Sequence, residues 1–203
     1  MTHGKLAHFG HAWVGVLLIG VCACGSSSGV FDAIPDASQR LVATPSGMAA
    51  LSQAQLATGL ASEVTFGDAS GRSALYLEFS PEWRAHGAPL KGYLALEPRA
   101  GEAPDAEPVT IEVWRVRSAW QPGSLHTWSD KPELAPPFAR AVISSSPAQT
   151  LRIDITELLR FAADHPAIDH GMALIARGGS GHGASFATGI GGGSAPRLEV
   201  YTR

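Results

Sequence analysis

The 203 residues carry 15 Lys and Arg against 18 Asp and Glu, a formal net charge of −3. That balance argues against a nucleic-acid or anionic-membrane surface, which would gather Lys and Arg into a patch. Both cysteines, Cys22 and Cys24, lie near the N-terminus, so the rest of the chain has no disulfide framework, thiol metal site or cysteine nucleophile.

Residues 1–23 read as a signal peptide. Lys5 precedes an apolar run from Ala12 to Val21, and the small residues Gly25-Ser26-Ser27-Ser28-Gly29 follow Cys24. A charged start, a short apolar core and small residues at the cut make a secretory signal. The run falls short of the about 20 apolar residues that span a bilayer. The stretch also resembles a bacterial lipoprotein signal, in which an apolar residue at −3 and a small one at −1 precede a lipidated Cys. Cys24 fits, with Val21 at −3 and Ala23 at −1; Cys22 fits worse, because branched Val21 precedes it. The resemblance implies an exported chain whose new N-terminus, Cys24, is anchored in the membrane by lipid. Gly25 is no acidic sorting signal, which by the same resemblance implies the outer membrane. An ordinary signal or an uncleaved anchor is the plainer alternative.

Residues 24–40, small or polar with Pro35 and two Asp, read as a flexible tether. The Ala-, Leu-, Ser- and Gln-rich stretch from Leu41 to Leu60 is left open between a short helix and a loop. From residue 63 the chain changes to short apolar runs broken by Gly, Pro, Asp and Ser. Leu75, Leu77 and Phe79 alternate with Ala74, Tyr76 and Glu78, the period of a half-buried strand. Leu90, Gly92, Leu94 and Leu96 alternate in the same way with Lys91, Tyr93, Ala95 and Glu97. Val109–Arg117 is β-branched and aromatic, which suits a pleated sheet. There Ile111 and Val113 point one way while Trp114 and Val116 point the other, and a β-bulge would reconcile them.

Further strands are expected at Ala139–Ser144, Leu151–Ile155, Met172–Ala176, Ser185–Thr188 and Leu198–Tyr201. One helical stripe, Ile155, Leu158, Leu159 and Ala162, follows a possible cap at Asp154 or Thr156 and ends before Pro166. The expected fold is all-β: residues 41–203 form an antiparallel β-sandwich or jelly roll with one short helix. Its expected core is Leu75, Leu77, Phe79, Leu94, Leu96, Ile111, Val113, Leu151, Ile153, Leu174, Leu198 and Val200.

From about residue 63 a run of motifs resembles a DNRLRE-type domain, of the disaggregatase-related family. Ser73–Phe79 resembles its "small-Leu-Leu-x-Phe" strand, and Lys91–Leu96 occupies the place of its "x-Ala-x-Leu-x-Leu" strand. Val113-Trp114-Arg115-Val116, Trp120, Thr127-Trp128 and Pro132 follow in the family's order. Leu151–Thr156 resembles the lead-in to its short helix, and Pro196–Tyr201 its terminal "Pro-x-Leu-x-Val-x-Tyr" strand. The chain departs from the family in lacking an "Asp-x-Tyr-Val" strand before residue 60 and the Ser-Arg-Glu pattern within Gly178–Gly193. The resemblance implies a β-sandwich associated with carbohydrate binding and no catalytic residues.

Trp120 and Trp128 flank His126 in a loop-like segment and are better read as packing residues that pin it than as sugar-stacking rings. The Asp164, His165, Asp169 and His170 cluster is interrupted by Pro166 and matches no zinc spacing; it reads as a solvated loop. The Gly178–Gly183 and Gly189–Gly193 runs lack the Lys and the helix of a phosphate loop and read as hairpin loops. There is no Gly-x-Ser-x-Gly elbow. No enzyme, cofactor, metal or nucleic-acid partner is therefore expected.

The expected function is a non-catalytic, lipid-anchored envelope domain that binds polysaccharide. A structural or protein-interaction sandwich is the alternative, and a metal-assisted hydrolase at Asp164–His170 a remote third. The candidate ligand residues are Trp83, Tyr76, Tyr93 and Arg84. If the strands bearing Tyr76 and Tyr93 pair as a hairpin, both rings share the solvent side, with Trp83 in the joining loop. Glu78, Arg84 and Lys91 would then take the hydroxyls of a stacked sugar.

Overall fold

The computed structural model describes residues 37, 39–53, 60–68, 72–99, 108–143, 149–177 and 182–203. The signal peptide, Cys24, nearly all of the tether and Gly178–Gly181 lie outside the described residues. Among the described residues there are eleven strands: β1 Gln39–Ala43, β2 Pro45–Ser52, β3 Glu63–Asp68, β4 Ser73–Phe79, β5 Lys91–Leu96, β6 Val109–Val116, β7 Leu134–Ile143, β8 Leu151–Asp154, β9 Met172–Arg177, β10 His182–Ala187 and β11 Arg197–Thr202. They form an all-β antiparallel sandwich. One sheet runs β1-β11-β5-β8, the other β2-β4-β9-β6-β7, and β3 pairs with β10. The β3–β10 pair continues the four-stranded sheet beyond β5, since Ala187 N donates to Glu97 O and Arg99 N to Ser185 O, at 2.9 and 2.8 Å.

Among the described strands only β6 and β7 are both consecutive in sequence and paired with each other. Other connections cross between sheets or between distant strands, as in a jelly roll. This corrects two expectations. The glycine-rich segments after β9 and after β10 are not hairpin loops, because β9 does not pair with β10, nor β10 with β11. The expected Tyr76–Tyr93 hairpin is also absent: β4 pairs with β2 and β9, whereas β5 pairs with β11 and β8. The turn Pro81–His86 carries the chain from one sheet to the other.

The first core lies between the sheets. Leu75, Leu77, Ile111, Val113 and Leu174 meet Leu94, Leu96, Ile153, Leu198 and Val200, with Val64, Phe66 and Phe186 from the β3–β10 pair. Phe79 and Leu151 are partly buried against the same cluster, so all twelve expected core residues take part. The helix α1, Thr156–Asp164, packs Leu158, Leu159 and Ala162 against it. Asp154 Oδ1 accepts from the Thr156 backbone N–H at 2.9 Å and from its hydroxyl at 2.6 Å, satisfying one of the helix's orphan donors. Gly92 lets the helix approach this closely: a Cβ there would sit 2.1 Å from Leu159 Cδ1.

A second core covers the outer face of the five-stranded sheet. The segment between β6 and β7 folds back over that face, bringing Trp120, Leu125 and Trp128, with Leu134 at the start of β7, onto Ala49, Leu51, Tyr76, Val116 and Ala173. Trp120 packs its ring 5.8 Å from that of Tyr76 and donates Nε1–H to the His170 carbonyl at 2.8 Å. Both Trp120 and Trp128 thus pin the loop. The same cover explains the phase of β6: Ile111 and Val113 enter the first core, Trp114 and Val116 the second. The pairing of β6 with β9 is continuous there, whereas its pairing with β7 shifts register between Val113 and Trp114 and again before Val116.

Tyr76 therefore does not face solvent. It is fully buried, and its hydroxyl has no partner among the described residues. Burial pushes its pKa up to about 12. The unfolded chain releases this proton near pH 10, so the folded state keeps its full stability below pH 10 and loses part of it between about pH 10 and 12. Tyr76→Phe removes both the orphan hydroxyl and this linkage. Urea unfolding should show an equal or higher midpoint at pH 7 and a smaller alkaline loss than wild type. A lower midpoint at pH 7 with an undiminished alkaline loss would contradict this assignment.

Candidate functional site

Among the described residues no segment covers the outer face of the four-stranded sheet. Along β11, Leu198 and Val200 enter the core, which turns Arg197, Glu199 and Tyr201 to the outer face. On β5 the same alternation turns out Lys91, Tyr93 and Ala95, on β8 Arg152 and Asp154, and on β1 Arg40 and Val42. Register then sets the neighbours. Tyr93 stands opposite Glu199 and Asp154, and Tyr201 opposite Arg40 and Lys91.

Glu199 is the centre of this face. Its side chain is 4% exposed, and it accepts from Arg40 Nη2 at 2.9 Å and from Arg152 Nη2 at 2.7 Å. Burial alone would raise its pKa; the hydrogen bonds and charges of Arg152 and Arg40 outweigh that and hold it below the ordinary carboxylate range. The Arg152 guanidinium lies 4.2 Å above the Tyr93 ring and bonds the Tyr201 hydroxyl at 3.2 Å. The two tyrosine rings meet edge to face at 6.1 Å. At the helix end of the face, Lys91 Nζ is 3.0 Å from Asp154.

The result is a part-exposed platform of two rings and two guanidinium groups around a buried carboxylate, with the Lys91–Asp154 pair at its edge. Rings of this kind stack on the C–H face of a sugar, while guanidinium and ammonium donors reach its oxygens. Long side chains already locked by ion pairs and ring contacts lose little further freedom on binding.

The four expected ligand residues do not converge. Tyr93 lies on this face, whereas Tyr76 is buried in the opposite sheet beneath Trp120. Trp83 is 5% exposed and belongs to the first core, capping one end of it. Arg84 stacks on Trp83 at 5.3 Å and is ion-paired with Asp169. Trp83 and Arg84 do line one cavity of about 240 Å³ with Leu158, Leu159, Asp169 and Met172. It is smaller than the about 300–1,000 Å³ of usual small-molecule sites, and Arg84 and Asp169 in its lining already neutralise each other. The open sheet face is the better candidate.

Tyr201, Arg40 and Arg152 were missed because their neighbours come from strands far apart in sequence. The alternation of Pro196–Tyr201 already placed Tyr201 on the outer side.

The Asp164–His170 segment does not converge on a point either. Asp169 Oδ1 accepts from Gly171 N at 3.1 Å, the His165 ring packs edge-on against Phe161 at 4.5 Å, and the His170 carbonyl is taken by Trp120. Among the described residues no three His, Cys, Asp or Glu side chains gather as a metal site would require.

Compared with the models of known protein families and with curated proteins, the chain finds no match.

Proposed function

We propose that this chain is a non-catalytic envelope lipoprotein whose sandwich domain binds polysaccharide on the outer face of the four-stranded sheet. The observation that carries the reading is the Tyr93–Tyr201 pair, uncovered by any described segment and held by Arg152 above Glu199, while Tyr76 of the opposite sheet is buried under a loop. The resemblance to DNRLRE-type domains supports the same reading, since that family is associated with carbohydrate binding. The N-terminal segment supports export, lipidation at Cys24 and, through Gly25, residence in the outer membrane.

Stacked sugars bind weakly, so the expected dissociation constant is on the order of micromolar to millimolar. Titration of the full-length chain in detergent against neutral and acidic polysaccharides tests the reading. Tyr93→Ala combined with Tyr201→Ala should weaken binding by about tenfold or more, the loss of one to two ring contacts, with an unchanged circular dichroism spectrum. Binding indifferent to both substitutions would reject this face. Absence of binding across the panel would leave a structural or protein-contacting sandwich.

A further inference from the structure

The arrangement around Glu199 occurs a second time, on the other side of the molecule. Glu112, on β6 between β9 and β7, is 2% exposed on the outer face of the five-stranded sheet. One of its oxygens accepts from Arg140 Nε at 2.9 Å and the other from Arg177 Nε at 2.7 Å. Arg140 stands directly across from it on β7, and Arg177 pairs with Thr110 from β9. Both arginines approach through Nε, which leaves the far ends of their guanidinium groups turned away from the carboxylate. Those side chains are 65% and 63% exposed. The loop that buries Tyr76 covers the Trp114–Val116 end of β6 and leaves this end open.

Two guanidinium groups on one sunken carboxylate leave a surplus positive charge facing solvent. Arg40 and Arg152 likewise share Glu199, on a chain whose net charge is −3. The buried glutamate is held only because it is paired, and it in turn fixes the spacing of the two forks. Planar forks of this kind match carboxylate and sulfate oxygens. The outer faces of a two-sheet sandwich point in opposite directions.

We propose that the domain binds anionic polysaccharide on both faces, the tyrosine face the tighter, and so bridges two polymer chains. This rests on the reading of the tyrosine face as a polysaccharide site and adds the ligand's charge and a second, opposed site.

The test uses the full-length chain at one copy per zwitterionic nanodisc. Immobilised polygalacturonate captures the chain, and soluble fluorescein-labelled polygalacturonate is then offered to it, with dextran as the neutral control. Wild type should be captured and should retain the labelled polymer. E112Q/R140Q/R177Q, which removes the buried charge together with its partners, should keep the first capture within twofold. It should lose the second at least tenfold. R140Q/R177Q reads the same loss should the triple variant fail to fold. First capture without second by wild type, or second capture undiminished in the variants, overturns the bridging proposal and leaves the tyrosine face standing. No first capture on polygalacturonate overturns the anionic, two-faced proposal; the tyrosine-face reading falls with it only if dextran and the other polymers of the titration panel are not bound either.

Discussion

Truncating Leu77 to Ala should cost about 2–5 kcal/mol of unfolding free energy, the cost of a cavity in a packed core. Leu77 is fully buried, on a strand bonded on both sides, facing Leu94, Leu198 and their neighbours in the other sheet. β4 cannot move to fill the space, because β2 and β9 fix its register. No disulfide lies within the folded domain to share the load, since both cysteines precede it. Stability near the low end of the usual about 5–15 kcal/mol would then leave the variant largely unfolded at 37 °C. Urea denaturation of the two proteins gives the difference directly. A loss below about 1 kcal/mol would mean that the two sheets are not packed through this residue.

Replacing Cys24 by Ser should abolish lipidation altogether. In an expressing Gram-negative cell fed labelled palmitate, wild type should incorporate label and have the intact mass of a chain starting at an acylated Cys24. Cys24→Ser should carry no label and retain residues 1–23, while Cys22→Ser should behave as wild type. Val21 at −3 and Ala23 at −1, after a short apolar run, point to Cys24 as the acylated residue. Label persisting in Cys24→Ser, or lost in Cys22→Ser, would move the modification to Cys22; no label in wild type would remove the anchor.

Strands whose apolar and polar residues alternate sharply were legible in the sequence, and so was the helix stripe around Leu158. β1 and β2 were not. In Pro45–Ser52 the alternation is among Gly, Ala, Ser, Met and Leu, whose contrast is slight, and Ala and Leu favour helices. Gln39 and Arg40, read as tether, belong to β1 because β11 offers a free edge to pair with. β3 went unnoticed although Val64 and Phe66 alternate, because its partner, β10, lies far along the chain.

The candidate site divides in the same way. Tyr93 was placed on an outer face by local alternation. Which face, and beside what, depended on pairings with β8 and β11 that no local period encodes. Tyr76 alternated just as cleanly and was misplaced, because a sheet's outer face is open only where no other segment lies on it. Here the Trp-bearing loop does so. The one local hint was the apolar Trp114 and Val116 on the supposedly wetted side of β6.

The most direct measurement is hydroxyl-radical labelling of the full-length chain with and without a saturating polysaccharide, read residue by residue by mass spectrometry. Labelling of Tyr93 and Tyr201 should fall several-fold when the polymer binds, while Trp83, sealed in the core, and exposed His126 should be unchanged. Tyrosine labelling that stays constant under saturating polymer, with protection falling elsewhere, would contradict the assignment of the four-stranded sheet as the binding face.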